Sequence, residues 1–386
     1  MDILQLDLSY KGQVRDFIEL PFRIYAEVPQ WVPPLQMDVR RVLDARRNPF
    51  YRHSEAAFFL AYRDQAPVGR IAVLNNRRYN EYNHCQEAFF WLFEAEDSSE
   101  AASGLFEAAF AWARKRGLSK VSGPKGFTPL DGFGLLVEGF EHRPAFGLPY
   151  NPAYYIPLIE AQGFKVQGES VSGYLDANIE FPPRVQELAE LIVRRRGLRI
   201  ASCRTRAELR VLIPYLKDLY NSALGGTSGT TPLTDEEVNS LAESMLWLAD
   251  PKLIKIVMKE DRAIGFLLAY PDVSAALQKT RGRLFPFGWL AFLLELRRTD
   301  WININGAGLL PEYRGSGGTA ILFSEMFKSV AENPRYRHAD IVQIGVENEN
   351  MQREMERFGI DFYKRHRVYE REIGRTEDGG KRMGGK

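Results

Sequence analysis

Hydrophobic positions along the chain follow two periods, and the switches between them mark out the elements. Ala102, Leu105, Phe106, Ala109, Phe110 and Ala113 recur at three- and four-residue spacing, which predicts a helix begun at or beside Ser99 and ended by Gly117. Ile321, Leu322, Met326, Phe327 and Val330 repeat that spacing far downstream. Short apolar runs bounded by turn residues predict strands at 55–62 and 68–74, joined by a turn at 64–67, and further strands at 87–93, 119–122 and 169–175. A short amphipathic helix at 16–24 precedes them, and Pro29, Pro33 and Pro34 force an extended crossing after it. Tyr150-Asn151-Pro152-Ala153-Tyr154-Tyr155 leads into a helix that stops at Gly163.

The second half runs through a similar order. A helix at 184–196, a strand at 198–202 and a helix at 206–224 are followed by a glycine-rich loop at 225–229. Thr234 and Glu237 form a capping box for a helix through Leu248, and a hairpin follows at 253–258 and 263–269. A strand from 302 to 310, the downstream helix, a strand at 338–346, a helix from 347 to about Gly359 and a strand at 362–372 complete it. The halves share a coarse element order without a close residue repeat. The order predicts an α/β fold with a mixed α+β sheet in two tandem domains, 1–180 and 181–374, and a charged, glycine-rich, disordered tail at 375–386.

Composition narrows the function classes. A length of 386 residues suits two domains, and 45% apolar residues against 26% charged supply ordinary globular cores. The formal net charge of +1 gives no global field for nucleic acid, so none is expected as a partner. Cys85 and Cys203 lack metal-ligand spacing, and no metal is expected. With no signal pattern and no apolar run of membrane-spanning length, a cytoplasmic enzyme is the expectation.

Chemistry concentrates in the strand–loop–helix at 302–330. Pro311 stops the strand, and Arg314-Gly315-Ser316-Gly317-Gly318-Thr319 leads into the helix. Orphan N–H groups and the positive end of a helix dipole hold polyphosphate at such a place. The equivalent stretch of the first half, Phe93-Glu94-Ala95-Glu96-Asp97, is acidic and has no glycine loop. Tyr150, Asn151, Tyr154 and Tyr155 either donate hydrogen bonds to a ligand in a cleft or pack a helix start. An apolar insertion at 281–298 carries a helix with Leu290, Leu293 and Leu294 on one face and Trp289, Phe292 and Leu296 on another. Such a helix needs burial, a lipid surface or an acyl chain beside it, and flanking arginines suit an interface.

The glycine loop, its upstream Leu309-Leu310-Pro311-Glu312-Tyr313 and the downstream Asn348 helix ending at Gly359 resemble the GNAT acyltransferase superfamily. The resemblance covers about 198–373 well and 50–175 only by element order, so it implies tandem GNAT-like domains with a degenerate N-terminal copy. It implies acyl-CoA as donor and co-substrate, held by Leu309, Leu310, Arg314, Gly315, Ser316, Gly317, Gly318, Thr319 and Asn348, and an amine as acceptor. Glu347 is the expected water-mediated base, with Tyr363 and Tyr313 as candidate acids. Two positions depart from the pattern. Thr319 replaces a glycine or alanine, and Met355 stands where many members carry the tyrosine that protonates the leaving thiolate, which a thioether cannot do.

The proline-aromatic segments and the insertion further resemble long bacterial GNAT proteins, a group that includes ceramide synthases acting on sphingoid bases. On that resemblance, Tyr150, Asn151, Tyr154, Tyr155, Phe287, Trp289, Leu290, Phe292 and Leu294 form an acceptor or acyl pocket, and 284–296 contacts a membrane peripherally. N-acylation of a long-chain amine is favoured. Acetylation of a small amine or peptide from acetyl-CoA and a non-catalytic acyl-CoA-binding protein are the alternatives, and monomer and dimer both stay open.

Overall fold

The structure, a computed structural model, describes residues 1–128, 131–176, 183–201, 203, 205–224, 230–315 and 317–374, leaving out the side chains of Leu224, Ser244 and Met245. Ser316, the glycine-rich loop at 225–229, most of the composition break at 178–183 and the tail at 375–386 lie outside the described residues. In the first half the elements are β1 (Asp2–Gln5), α1 (Lys11–Ile24), α2 (Gln36–Leu43), β2 (Glu55–Arg63), β3 (Ala66–Asn75) and α3 (Arg77–Tyr82). Next come β4 (Glu87–Ala95), α4 (Ser99–Arg114), β5 (Lys120–Gly123), β6 (Leu135–Glu138), α5 (Tyr155–Glu160) and β7 (Lys165–Asp176). The second half begins with α6 (Pro183–Arg196), β8 (Leu198–Ala201), α7 (Arg206–Leu224), α8 (Asp235–Leu246), β9 (Ile254–Lys259) and β10 (Arg262–Pro271). It ends with α9 (Ser274–Thr280), α10 (Gly288–Arg298), β11 (Trp301–Leu309), α11 (Gly318–Ala331), β12 (His338–Gly345), α12 (Glu349–Arg357) and β13 (Asp361–Glu372).

Local chemistry accounts for most boundaries. Ser98 caps α4 by accepting the Ala101 N–H at 3.3 Å, and Gly117 takes φ +73° just beyond the helix. Thr234 and Glu237 exchange capping-box hydrogen bonds at 2.8 and 3.1 Å. Asp64 and Gln65 both adopt positive φ, so a tight turn joins β2 to β3.

One continuous mixed sheet crosses the molecule in the order β1-β2-β3-β4-β5-β13-β7-β12-β11-β10-β9-β8, with β6 pairing off the path onto β13. Two neighbouring pairs are parallel. β4 and β5 pair from Glu87↔Lys120 to Phe89↔Ser122, and β11 and β12 from Trp301↔His338 to Ile304↔Ile341. Beyond those residues each pair parts. A bulge sits just past each parting, with Leu92 at φ +49° and Gly306 at φ +111°. The two halves are thus built alike around a splayed strand pair.

Their last strands are exchanged. β7 of the first half pairs antiparallel with β12, and β13 of the second half pairs antiparallel with β5. We retain 1–180 and 181–374 as the proposed repeats, interlocked at the centre of one sheet. A buried ion pair lies at that centre. Lys364 Nζ donates to Asp340 Oδ2 at 2.8 Å, and the two side chains are 1% and 2% exposed. Burial lowers the lysine pKa and raises the aspartate pKa, as expected where desolvation exceeds the pair's attraction. The main cores flank the sheet, with α4 over β2–β5 and α11 over β9–β12.

Candidate functional site

The two partings open into one cleft of about 2070 Å³ whose walls come from both halves. Gly306, Ala307, Gln343 and Ile344 contribute from the β11–β12 parting, and Arg70, Glu94 and Asp131 from the first half. Past the parting, the strand edges lose their ladder partners and turn backbone N–H and C=O groups toward whatever enters.

The glycine loop borders this cleft. Leu309 and Leu310 are buried and fix the strand end, and Leu310 N–H donates to Ile264 O at 3.0 Å. Pro311–Tyr313 makes one 3-10 turn, after which Gly315 and Gly317 adopt φ +67° and +84°. Such angles favour glycine. α11 then begins at Gly318 with no side chain capping it, so its first N–H groups are left for an external acceptor. At two of the glycines neighbouring side chains also come close. A Cβ on Gly318 would lie 2.6 Å from Leu309 Cδ2, and one on Gly317 would strike Ile192 Cδ1 of α6. Arg314 lines the cleft, and its guanidinium donates to Ala223 O of α7. Thr319 sits half-buried in the first turn of α11.

The sequence-derived catalytic candidates separate. Glu347 is exposed on the cleft, next to Asn348, which also lines it and caps α12 by accepting the Met351 N–H at 3.3 Å. Met355 is buried on α12 and lines the cleft. Neither Tyr363 nor Tyr313 is among the described residues that line it. Tyr363 donates its hydroxyl to Asp340 at 2.9 Å, and burial together with that carboxylate holds its pKa well above the usual tyrosine range. It braces the central ion pair. Tyr313 stacks under the Lys259 ammonium at 5.6 Å.

The acceptor candidates separate too. Tyr150, Asn151 and Tyr155 line the cleft, but their polar atoms hold the fold. Tyr150 donates to Phe140 O at 2.8 Å, Tyr154 to Ala95 O at 2.9 Å and Tyr155 to Glu94 at 2.8 Å. Asn151 binds both the N–H and the C=O of Leu136. Phe287, Trp289, Leu290, Phe292 and Leu294 are not among the described residues that line the cleft. Phe292 and Leu296 seat α10 on Leu35, Leu248 and Leu277, and this turns Leu290, Leu293 and Leu294 outward. Of the insertion, Leu284 reaches the cleft.

Several wall residues gave no signal in the sequence. Asp131 accepts the Thr128 N–H at 2.7 Å, and burial pushes its carboxyl up to about 6. It lies close enough to Tyr220 of α7 to raise that hydroxyl further, after burial has already done so. Tyr220 packs by Phe266 at 6.3 Å, and the Phe266 ring lies against Gly308 beside the bulge. Asn305, within the bulge, donates to the Tyr270 hydroxyl at 2.7 Å. In the first half, Tyr25 and Tyr155 donate to Glu94 at 2.7 and 2.8 Å, and burial raises that carboxyl against the pull of Arg70. Among the described residues no cluster has the make-up of a metal site.

No family model matches the chain. Over 381 residues it is 28% identical to a protein of Caulobacter vibrioides described as a bacterial ceramide synthase, spanning 96% of this chain and 98% of that one. Over 383 residues it is 26% identical to protein YghO of Escherichia coli, spanning 95% and 97%. Among solved structures, a tandem GNAT protein from the clavulanic acid biosynthesis pathway aligns with a TM-score of 0.56 at 11% identity, over 97% of this chain and 99% of that one. A GCN5-related N-acetyltransferase from Sphaerobacter thermophilus aligns at 0.52 and 14% identity, over 97% and 96%. The fold is that of a tandem GNAT protein.

Proposed function

We propose that this tandem GNAT-fold chain transfers an acyl group from acyl-CoA to the primary amine of a long-chain lipid such as a sphingoid base. The size of the shared cleft carries the reading. Pockets for one drug-sized ligand span roughly 300–1,000 Å³, whereas this one holds about 2070 Å³ and runs from the glycine loop to Leu284 of the apolar insertion. Acetyl transfer to a small amine needs far less space. The similarity to a protein described as a bacterial ceramide synthase supports the same substrate class.

The second half holds the donor. Gly315, Gly317 and Gly318 present the α11 N-terminus to the CoA pyrophosphate, Arg314 adds positive charge, and the parted β11 and β12 offer backbone groups to the pantetheine arm. The first half lacks this capacity. Its helix start is occupied by the Ser98 cap, and Glu100 already stands in the first turn of that helix. It serves as the acceptor wall.

In the reaction the amine nitrogen attacks the thioester carbon, the carbonyl oxygen takes up negative charge, and the tetrahedral intermediate collapses with cleavage of the C–S bond. The nitrogen loses one proton and the thiolate gains one. We assign the first transfer to Asp131, whose carboxyl near 6 matches a base working close to neutrality, with Glu347 as the alternative carboxylate on the cleft. Met355 cannot supply the second. Among the hydroxyls on the cleft, we assign Tyr220 and Tyr270 as the candidates for it.

The test is direct. The purified chain is incubated with palmitoyl-CoA and a sphingoid base, and released thiol and amide product are followed together. Stoichiometric thiol and long-chain amide are expected. Preference for acetyl-CoA with a small amine would move the substrate class, and tight CoA binding with no thiol release across a panel of amines would leave only a binding protein.

A further inference from the structure

We propose that the insertion at 281–298 docks the protein on an anionic lipid bilayer, with its apolar face inserted at the membrane surface over one mouth of the cleft. Within residues 285–294, six large hydrophobic side chains stand exposed: Phe285 (78%), Phe287 (72%), Leu293 (51%), Leu290 (49%), Trp289 (44%) and Leu294 (41%). Elsewhere the exposed large hydrophobic side chains come singly or in smaller groups, such as Met1, Leu4, Leu8 and Tyr10 at the start of the chain.

The patch is held firmly in place. Phe292 is 1% exposed and packs against Trp247 with ring centroids 5.6 Å apart. Arg335 donates to the carbonyls of Leu296 and Arg297 at 3.0 and 2.9 Å, tying down the end of α10. At its start Trp289 Nε1 donates to Pro286 O at 3.1 Å. The helix therefore presents its outer face as a fixed surface.

Charge selects the occupant. Lys279, Arg281, Arg283, Arg297 and Arg298 are all exposed around the patch, outnumbering the carboxylates of Glu295, of Asp300 beyond Arg298 and of Glu19, which pairs with Arg283 at 2.8 Å, in a chain whose formal net charge is only +1. Aromatic and aliphatic side chains ringed by cations suit the level of anionic headgroups. A second copy seated on the same patch would bring the two cationic rims together, which disfavours self-association. No described helix is long and apolar enough to cross a membrane, so the contact is with the surface.

The patch is also continuous with the cleft. Leu284 immediately precedes the exposed aromatics and lines the cleft, as do Trp247 and Leu248, on which Phe292 rests. That α10 hands a lipid substrate to the cleft rests on the acyltransferase reading, whereas docking does not.

Docking is measured with the full chain by flotation with vesicles of phosphatidylcholine alone or mixed with phosphatidylglycerol, with no donor or acceptor present. The wild-type chain should float with the anionic vesicles and only weakly with the zwitterionic ones. The double variant Phe285→Ser, Leu293→Ser should lose at least about tenfold in partitioning. Arg297→Glu with Arg298→Glu should lose a similar factor, and only on anionic vesicles. Both sets of side chains are exposed, so melting temperature and thiol release with acetyl-CoA and a short soluble amine should match wild type. A wild-type chain that stays in solution with both vesicles, or a serine variant that floats like wild type, would overturn the proposal. So would a wild-type dimer, seen by sedimentation without lipid, that the serine variant converts to monomer. Because flotation needs no turnover, failure to dock and failure to acylate are separate results.

Discussion

Replacing Gly315 by alanine probes the phosphate cradle with almost no steric side effect. Its φ is +67°, and a Cβ built there meets nothing within 4 Å. The change therefore acts through the backbone alone, where a left-handed conformation costs an L-residue about 1–2 kcal/mol. If the loop relaxes out of that conformation to escape the strain, its N–H groups turn away from the ligand, and CoA must restore the strained form to bind. Affinity should then fall roughly 5- to 30-fold, the factor that corresponds to that energy. Gly317, at φ +84°, carries the same strain, and its Cβ also collides with Ile192 Cδ1. Gly317→Ala should lose more, and Ile192→Val in the same chain should restore the steric part only. Gly117, at φ +73° with nothing within 4 Å of its Cβ, lies at the end of α4, away from the cleft. Gly117→Ala is the control for strain without a ligand effect. Isothermal titration with CoA gives the affinities, and thermal melts followed by circular dichroism report the fold. Unchanged CoA affinity in both loop variants, with wild-type melts, would refute the assignment of this loop to the pyrophosphate.

Three further outcomes follow from buried charge. Lys364→Met leaves Asp340 uncompensated and should cost about 3–5 kcal/mol in urea unfolding, whereas Lys364→Met with Asp340→Leu should regain most of it. The Asp131 carboxyl ionises as pH rises through about 6, so the ratio of wild-type to Asp131→Asn thiol release should climb from below that pH and level off above it. A ratio independent of pH, with Glu347→Gln inactive, would move the base to Glu347. His366 is buried with its pKa lowered to about 4 from 6.5, mainly by desolvation. A depressed imidazole stays neutral in the folded chain while the unfolded chain takes up a proton. Stability is therefore complete above 6.5 and falls towards 4, by roughly 3 kcal/mol at 1.36 kcal/mol per pH unit. His366→Gln should flatten that limb of the stability profile.

By itself the sequence determined whatever depends on neighbours along the chain. The spacing of Leu105, Phe106, Ala109 and Phe110 specifies a helix with one buried face, and a serine beside its start caps it. Thr234 and Glu237 are three residues apart and close their capping box without outside help. Arg314 to Thr319 reads as a glycine loop entering a helix because positive φ and uncapped N–H groups are properties of a few adjacent residues. The tandem order of elements was legible for the same reason.

Tertiary structure decided the rest, because pairing and burial join residues far apart. β7 and β13 have ordinary strand patterns that carry no mark of their exchange between the halves. Tyr363 is a credible acid until Asp340, on another strand, claims its hydroxyl. Asp131 is an ordinary loop aspartate until desolvation in the folded chain raises its carboxyl. The helix at 288–298 is apolar on nearly every side. Only the seating of Phe292 on Leu35, Leu248 and Leu277 decides that Leu290, Leu293 and Leu294 face outward instead of into the cleft. Periodicity and capping are local energies, whereas the dielectric around a carboxyl and the side of a helix that meets solvent are set by what the remainder of the chain packs against it.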